Sequence, residues 1–324
     1  MTKAAKKLFS FLIKAGILVL AFAFIYHQYL QKGDSIKQFQ LLISRISRQE
    51  VIITLSSVAL LMLINWILES FKWRYLTRHL EKISAWNAIE AVFCGLTWAI
   101  FTPNRLGEYA GRVLFLPSRK RVYGVFAMAV GSFGQNVITN VLGLSALLWY
   151  LFTYYHLNVW LYAAISIGSI GAMAFFLIIF FHIIWVVDLL DRIPYIKKFH
   201  RFFDIMGRYE KQELIKIMGF SLARYAVFSF QYYLIIHLLI PEIPAFQMMM
   251  LVFVFFFVQS ALPSLDLLDI GVRSGAATLL FVHVTNQSLA IIAAVSSIWL
   301  INLIIPAILG SVFVFKLNFF DRNL

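Results

Sequence analysis

The stretch Thr102-Pro103-Asn104-Arg105-Leu106-Gly107-Glu108-Tyr109 sets a proline, an arginine, a glycine and a glutamate between long apolar runs. A second polar interruption runs from Leu262-Pro263-Ser264-Leu265-Asp266 to Asp269-Ile270-Gly271-Val272-Arg273, its proline 160 residues beyond the first. Around both, the chain is 61% hydrophobic and only 13% charged, about half the charge of an ordinary soluble domain, and its mean hydropathy is +0.83. Ionisable residues in such a background mark pathways and binding sites. Paired helix breaks in two halves of a chain are the strongest sequence pointer to a transport site.

The apolar runs 51–69, 122–154, 158–187, 214–240 and 285–315 meet the roughly 20 residues needed to cross a hydrocarbon core of about 30 Å. They are continuous rather than alternating, which excludes an outer-membrane barrel. A sixth run, from about 9 to 30, follows Lys3, Lys6 and Lys7. It is too long for a signal peptide and lacks a small-residue cleavage site, so it reads as a retained first span. The net charge of +13 collects in short connections: Lys72 to Lys82, Arg119-Lys120-Arg121, and Arg192 to Lys211. This is the positive-inside pattern of a plasma (inner) membrane protein with both termini cytoplasmic, and nothing resembles a nucleic-acid module. The single cysteine, Cys94, leaves no disulfide framework or metal cluster. No metal and no cofactor are expected.

Between the basic connections, 86–101 and the run from the break to Pro117 are each short for a span. A re-entrant hairpin fits both lengths, and 245–262 with 271–283 makes a second one entering from the opposite side. The expected fold is all-α and polytopic, with six full spans and two opposed re-entrant hairpins in a single membrane domain, 1–324. Within it, 1–50 holds the first span and its connection, and 51–154 a first repeat. Residues 155–213 hold a linking span and cytoplasmic loop, and 214–324 a second repeat of inverted topology. Thin echoes between the halves agree: Tyr75-Leu76 and His79-Leu80 recur as Tyr233-Leu234 and His237-Leu238.

Pro103, Gly107, Pro263 and Gly271 are read as structural breaks, since proline removes a backbone donor and glycine admits turns or close approach. A helix beginning near Leu106 would offer N–H donors and partial positive charge to an anion, and Arg105 would add a planar fork for phosphate oxygens. Glu108 has three candidate roles: pairing with Arg105 or Arg112, meeting a cationic headgroup, or carrying a proton. In the second hairpin Asp266, Asp269 and Arg273 repeat the mixed signs, with Asp269 and Arg273 four apart on one helix face. The competing reading makes these groups salt bridges that pin the hairpins. Asn136 and Asn140 share a helix face toward either the cavity or a neighbouring helix. Glu69, Lys72 and Arg74 read as interfacial anchors, Arg224 as a snorkelling arginine, and Asn302 with Pro306 as a kink.

With these motifs in place, the chain resembles the flippase-like transmembrane domain of the lysylphosphatidylglycerol synthase family. Three features carry the resemblance: Trp73-Arg74-Tyr75-Leu76, Thr102-Pro103-Asn104-Arg105-Leu106-Gly107-Glu108, and Leu262-Pro263 leading to Gly271-Val272-Arg273. The family's second motif is glycine-rich and ends in an acid; here Asp266-Leu267-Leu268-Asp269 replaces the glycines, and Ser274 stands at the acid's place. The resemblance implies a flippase moving a phospholipid or polyprenyl-phosphate lipid between leaflets, in a stand-alone form lacking the soluble aminoacyl-transfer domain. The expected substrate-binding set is Arg105, Glu108, Arg112, Asn136, Asn140, Asp266, Asp269 and Arg273. The chain is not expected to be an enzyme, because no soluble catalytic motif is present. The alternatives are an intramembrane enzyme acting on a lipid-linked phosphate or sugar, and a scaffold subunit for a partner synthase.

Overall fold

The computed structural model describes residues 44, 46–100, 102, 105–261 and 269–316. The chain divides into a unit Met1–Arg48 and a unit Gln49–Leu324, and the second carries the helical architecture. The expected first span, and with it Pro103, Pro263 and Asp266, lies outside the described residues.

The described residues are all-helical, and the protein is a polytopic membrane protein. Helices α1 (Arg48–Thr77), α2 (Ala85–Ala99), α3 (Leu106–Val113) and α4 (Arg121–Tyr154) are followed by α5 (Val159–Phe181). Short helical turns over 184–208 lead to α6 (Lys211–Leu239), α7 (Ala245–Ala261), α8 (Asp269–Phe281) and α9 (Ser288–Trp299). A π-helical segment, Leu300–Ile304, joins α9 to α10 (Ile305–Lys316). The long apolar helices α1, α4, α5, α6 and the continuous α9–α10 rod each suffice to cross a membrane. The others do not: at 1.5 Å per residue, the 15 residues of α2 reach about 22 Å and the 8 of α3 about 12 Å.

Sequence explains the ends of these helices. Ser84 Oγ accepts from the Asn87 amide at 3.0 Å and starts α2, and Asn158 starts α5 in the same way. Glu210 and Glu213 form a reciprocal capping box on α6. The expected run 158–187 is not one helix, because α5 ends at Phe181 and the chain turns at His182. The segment beyond His182 folds back instead of looping freely. Ile183, Val187, Phe203 and Ile205 enter a core with Val130, Val137, Phe180 and Ile217. Proline at 306 removes the amide that would bond inside the last helix, and the backbone answers with the π segment. The expected kink is therefore a π-bulge, a form common at functional sites.

The basic connections gather at one end of the bundle. Arg78 and His79 both meet Glu213, Lys120 meets Glu81 at 2.6 Å, and Tyr209 Oη donates to Leu76 O at 2.7 Å. At the other end, Tyr150, Tyr154 and Tyr155 surround His283, and the connections 155–158, 240–244 and 282–287 contain no lysine or arginine. The pair α2–α3 starts and finishes at the basic end, whereas α7–α8 starts and finishes at the other.

Each hairpin also leans on the long helix of the opposite half, α2 on α10 and α7 on α4. The contacts correspond. Gly310 lies against Phe93 and Thr97, and Gly143 against Phe253 and Phe257; in each case the hairpin residues differ by 160 in number. Trp86 meets Phe313 with ring centroids 6.1 Å apart, and Phe246 meets Trp149 at 5.6 Å. A side chain at Gly310 would put its Cβ 2.5 Å from Thr97 Oγ1, so a larger residue would push the helices apart.

Candidate functional site

The first hairpin is built by its glycines. A Cβ at Gly107 would lie 2.6 Å from the Trp98 carbonyl carbon, and one at Gly111 2.6 Å from the Gly95 Cα. Gly107 and Gly111 are four apart, so they form one stripe of α3 laid directly on the α2 backbone. Glu108 and Arg112, each one position later, fall on the next face and point away from that seam. Thr102 Oγ1 accepts from the Gly107 amide at 2.6 Å and closes the turn. The turn itself passes through Arg105 with φ 59 and ψ 26, the one non-glycine residue with positive φ among those described. Gly107 is thus a close-approach residue inside α3 rather than a break, and Gly271 likewise sits within α8.

Glu108 and Arg112 enter a buried ionic network that ties three elements together. Arg112 donates to Glu108 and, at 2.5 Å, to Glu69 Oε1. The other Glu69 oxygen receives Lys72 at 2.8 Å and Arg224, and Arg224 Nε donates to Asn65 Oδ1 at 3.0 Å. Arg105 Nε lies 3.0 Å from Glu108 Oε2. The side chains of Glu69, Lys72 and Arg112 are only 6%, 3% and 1% exposed. Glu69 and Lys72 are therefore not the interfacial anchors expected, and Arg224 does not snorkel to the surface. Both follow from helix α1, which brings Asn65, Glu69 and Lys72 to one face opposite Arg224 of α6. Among the described residues, four cations meet two carboxylates here.

The network forms one wall of a cavity of about 460 Å³, well within the range of ligand sites. Both hairpins reach it, the first through Arg105, Glu108 and Tyr109 and the second through Arg273, with Gln259 from α7. Of the expected set, Arg105, Glu108, Asn136 and Arg273 line the cavity, and Arg112 stands behind Glu108. Asn140 does not line it; its amide donates to the Asn136 carbonyl at 2.8 Å. Of Asp269 the backbone alone is described, as the first residue of α8.

Further polar groups join from elements that stand out little in the sequence. Gln135, Ser132, Gln259 and Asn302 face the cavity beside Trp66, Tyr225 and Trp299, and Tyr109 Oη donates to Ser132 at 2.9 Å. Asn302, on the π segment, donates to the buried Gln231 at 2.6 Å. The guanidinium groups of Arg224 and Arg105 lie 5.2 and 5.9 Å from the Trp66 ring, within cation–π reach. A polar residue every third or fourth position along α1 and α4 was the available signal for Asn65, Glu69, Ser132 and Gln135.

The sequence pattern of the family described as "lysylphosphatidylglycerol synthase TM region" matches residues 8–310. The chain belongs to this family. The match spans the whole cavity, since its lining runs from Asn65 to Leu303, so the T-P-x-R-x-G-E turn, the ionic wall and the π segment all fall in the family region. No curated protein and no solved structure matches the chain. Membership supports a membrane protein with a lipid-related role. Within the matched region, Thr102 and Gly107 shape the hairpin, while Arg105 and Glu108 line the cavity.

Proposed function

We propose that the protein is a flippase that carries the phosphate-bearing headgroup of a lipid through this cavity while the acyl chains stay in the bilayer. The observation that carries this reading is the buried, cation-rich network on the cavity wall. Charged groups at membrane depth mark binding sites and pathways, and guanidinium groups on a cavity wall suit the phosphate of an anionic headgroup. Arg105 and Arg273, one from each hairpin, are the residues assigned to phosphate. In this reading α2–α3 and α7–α8 are re-entrant, because they are short and return to the end from which they start. The matched cross-packing of the hairpins supports an inverted repeat, the architecture in which broken helices bracket a midplane site. The basic end faces the cytoplasm by the positive-inside rule.

Transport is preferred to catalysis because both described carboxylates of the cavity are held by cations, which suits a fixed wall better than a general base. The test is a leaflet-resolved assay: the purified protein is reconstituted in vesicles containing fluorescently tailed phosphatidylglycerol, and label is bleached from outside. Wild type is expected to expose label from the inner leaflet and Arg105→Ala to lose most of that rate. An Arg105→Ala protein that translocates as fast as wild type would sink the assignment.

A further inference from the structure

We infer that residues 184–201, the folded segment after α5, form a surface anchor that lies in the headgroup layer of the bilayer and selects anionic lipid. The anchor is separate from the cavity, since no described side chain of the segment lines it. It begins at the end of a span: α5 stops at Phe181 and the next helix runs Ile184–Asp191. That helix is apolar on two sides. Its inner side sends Val187 into the core, beside Ile183, Phe203 and Ile205. Its outer side leaves Ile184, Trp185 and Leu189 exposed, the last two by 51% and 60%. Tyr195 and Phe199 follow, exposed by 83% and 49%. Large apolar side chains gathered on an open surface mark a protein or membrane contact.

Continuity and charge together select the membrane. Phe175 and Ile178 are exposed on α5, His182 Nδ1 lies 3.0 Å from the Ile178 carbonyl oxygen, and the His182 ring stacks on Trp185 with centroids 4.7 Å apart. The exposed face of the span therefore continues to Trp185 and the surface beyond it. Arg192, Lys197, Lys198 and Arg201 are exposed among these apolar groups. Lys198 Nζ lies 5.2 Å from the Phe199 ring, and the Arg201 guanidinium 4.6 Å from the Phe202 ring. Asp188 and Asp191 are the acids of the segment, and Asp191 meets His200 at 2.7 Å. An interfacial element sets its apolar side chains into the headgroup boundary while its lysines and arginines meet lipid phosphate. Tryptophan and tyrosine favour that layer because each joins an apolar body to a polar edge. An acidic protein would match the charge but not the continuation of the span's face, so anionic lipid is the occupant this surface fits.

The test uses the full-length protein in vesicles, with an environment-sensitive fluorophore on Leu189→Cys and, as quenchers, phospholipids bearing a nitroxide near the top of one acyl chain. Cys94 is buried and stays unlabelled, and Ile167→Cys, exposed in the middle of α5, serves as reference. Both probes are expected to be quenched by nitroxide lipid and shielded from aqueous iodide. At Leu189, nitroxide phosphatidylglycerol is expected to be preferred over nitroxide phosphatidylcholine by at least about fivefold, the size expected of one basic side chain at an anionic surface, with no such preference at Ile167. Replacing the exposed pair by Lys197→Gln and Lys198→Gln should remove most of that preference, as should high salt. A Leu189 probe quenched by iodide and not by lipid would overturn the inference and turn the surface toward a soluble partner. Equal quenching by the two lipids, or a preference unchanged in the lysine variant, would also overturn it. These readouts follow lipid at the segment and not its translocation, so the flippase reading keeps its own test in Arg105→Ala.

Discussion

The hairpins α2–α3 and α7–α8 share a plan but are held by different forces. In the first, a glycine stripe brings two backbones into contact, and the face beside it carries Glu108 and Arg112 into a network with α1 and α6. In the second, α8 leaves Val272 and Leu279 exposed, and a Cβ on Gly275 would meet nothing within 4 Å. The first hairpin is a rigid wall bearing fixed charge. The second presents Arg273 from a helix that buries Ile270, Ser274, Ala277 and Phe281 on one face and leaves the other open. In the proposed flippase reading, the first hairpin supplies the fixed charge that meets the headgroup and the second adds Arg273.

The largest effect should come from breaking the charged wall. Glu69→Gln removes the carboxylate that holds Arg112, Arg224 and Lys72, and stripping one partner from a buried ion pair costs about 3–5 kcal/mol. Thermal unfolding in detergent should show a large fall in melting temperature. Pairing it with Arg224→Met should recover part of the loss, because fewer unpaired cations then remain. Glu69→Gln melting with the wild type would mean the network contributes nothing to holding the hairpin against α1 and α6.

The same substitution at two glycines sharpens the comparison. Gly111→Ala places its Cβ 2.6 Å from the Gly95 Cα, with no flexible side chain to yield, so the arms of the first hairpin must separate at a cost of about 1–3 kcal/mol. Gly275→Ala meets open space and should be neutral or stabilising by up to about 1 kcal/mol through helix propensity. Equal melting shifts for the two would show that the hairpins are equally packed.

Sequence reading reached this asymmetry from one side. Apolar run lengths gave the long helices among the described residues, except that 158–187 breaks at His182, because hydrophobic thickness acts on each segment separately. The turn at Thr102–Glu108 was legible because charge and helix breakers stand out from an apolar background. The network was harder. Glu69 and Lys72 lie near a helix end beside Arg74 and Arg78, and there a charged residue reads as an interfacial anchor; only the packing of α1 against α6 and α3 shows it buried. Gln259 and Tyr225 are ordinary helix residues until packing places them around one space. Asn140 erred the other way, since its helix face was right but its amide is used by the backbone of its own helix.

Smaller effects probe the turn that carries the charge. Thr102→Val removes the acceptor for the Gly107 amide and should cost about 1 kcal/mol, as lost helix caps do, with Thr102→Ser restoring it. Arg105 is more informative, because its backbone is left-handed, a conformation costing a non-glycine residue about 1–2 kcal/mol. Glycine would fit there without that cost, yet the position holds an arginine. Both Arg105→Gly and Arg105→Ala remove the guanidinium, so both should lose most translocation. They should differ in stability, with the glycine variant melting as though about 1 kcal/mol more stable, because only it relieves the backbone. Comparing the two variants cancels the lost ion pair with Glu108 and isolates the strain. If they melt alike, the left-handed turn costs nothing and the arginine needs no functional reason to stay. If the glycine variant is more stable and inactive, stability is given up at this residue to present a charge to the cavity, as strained positions at binding sites do.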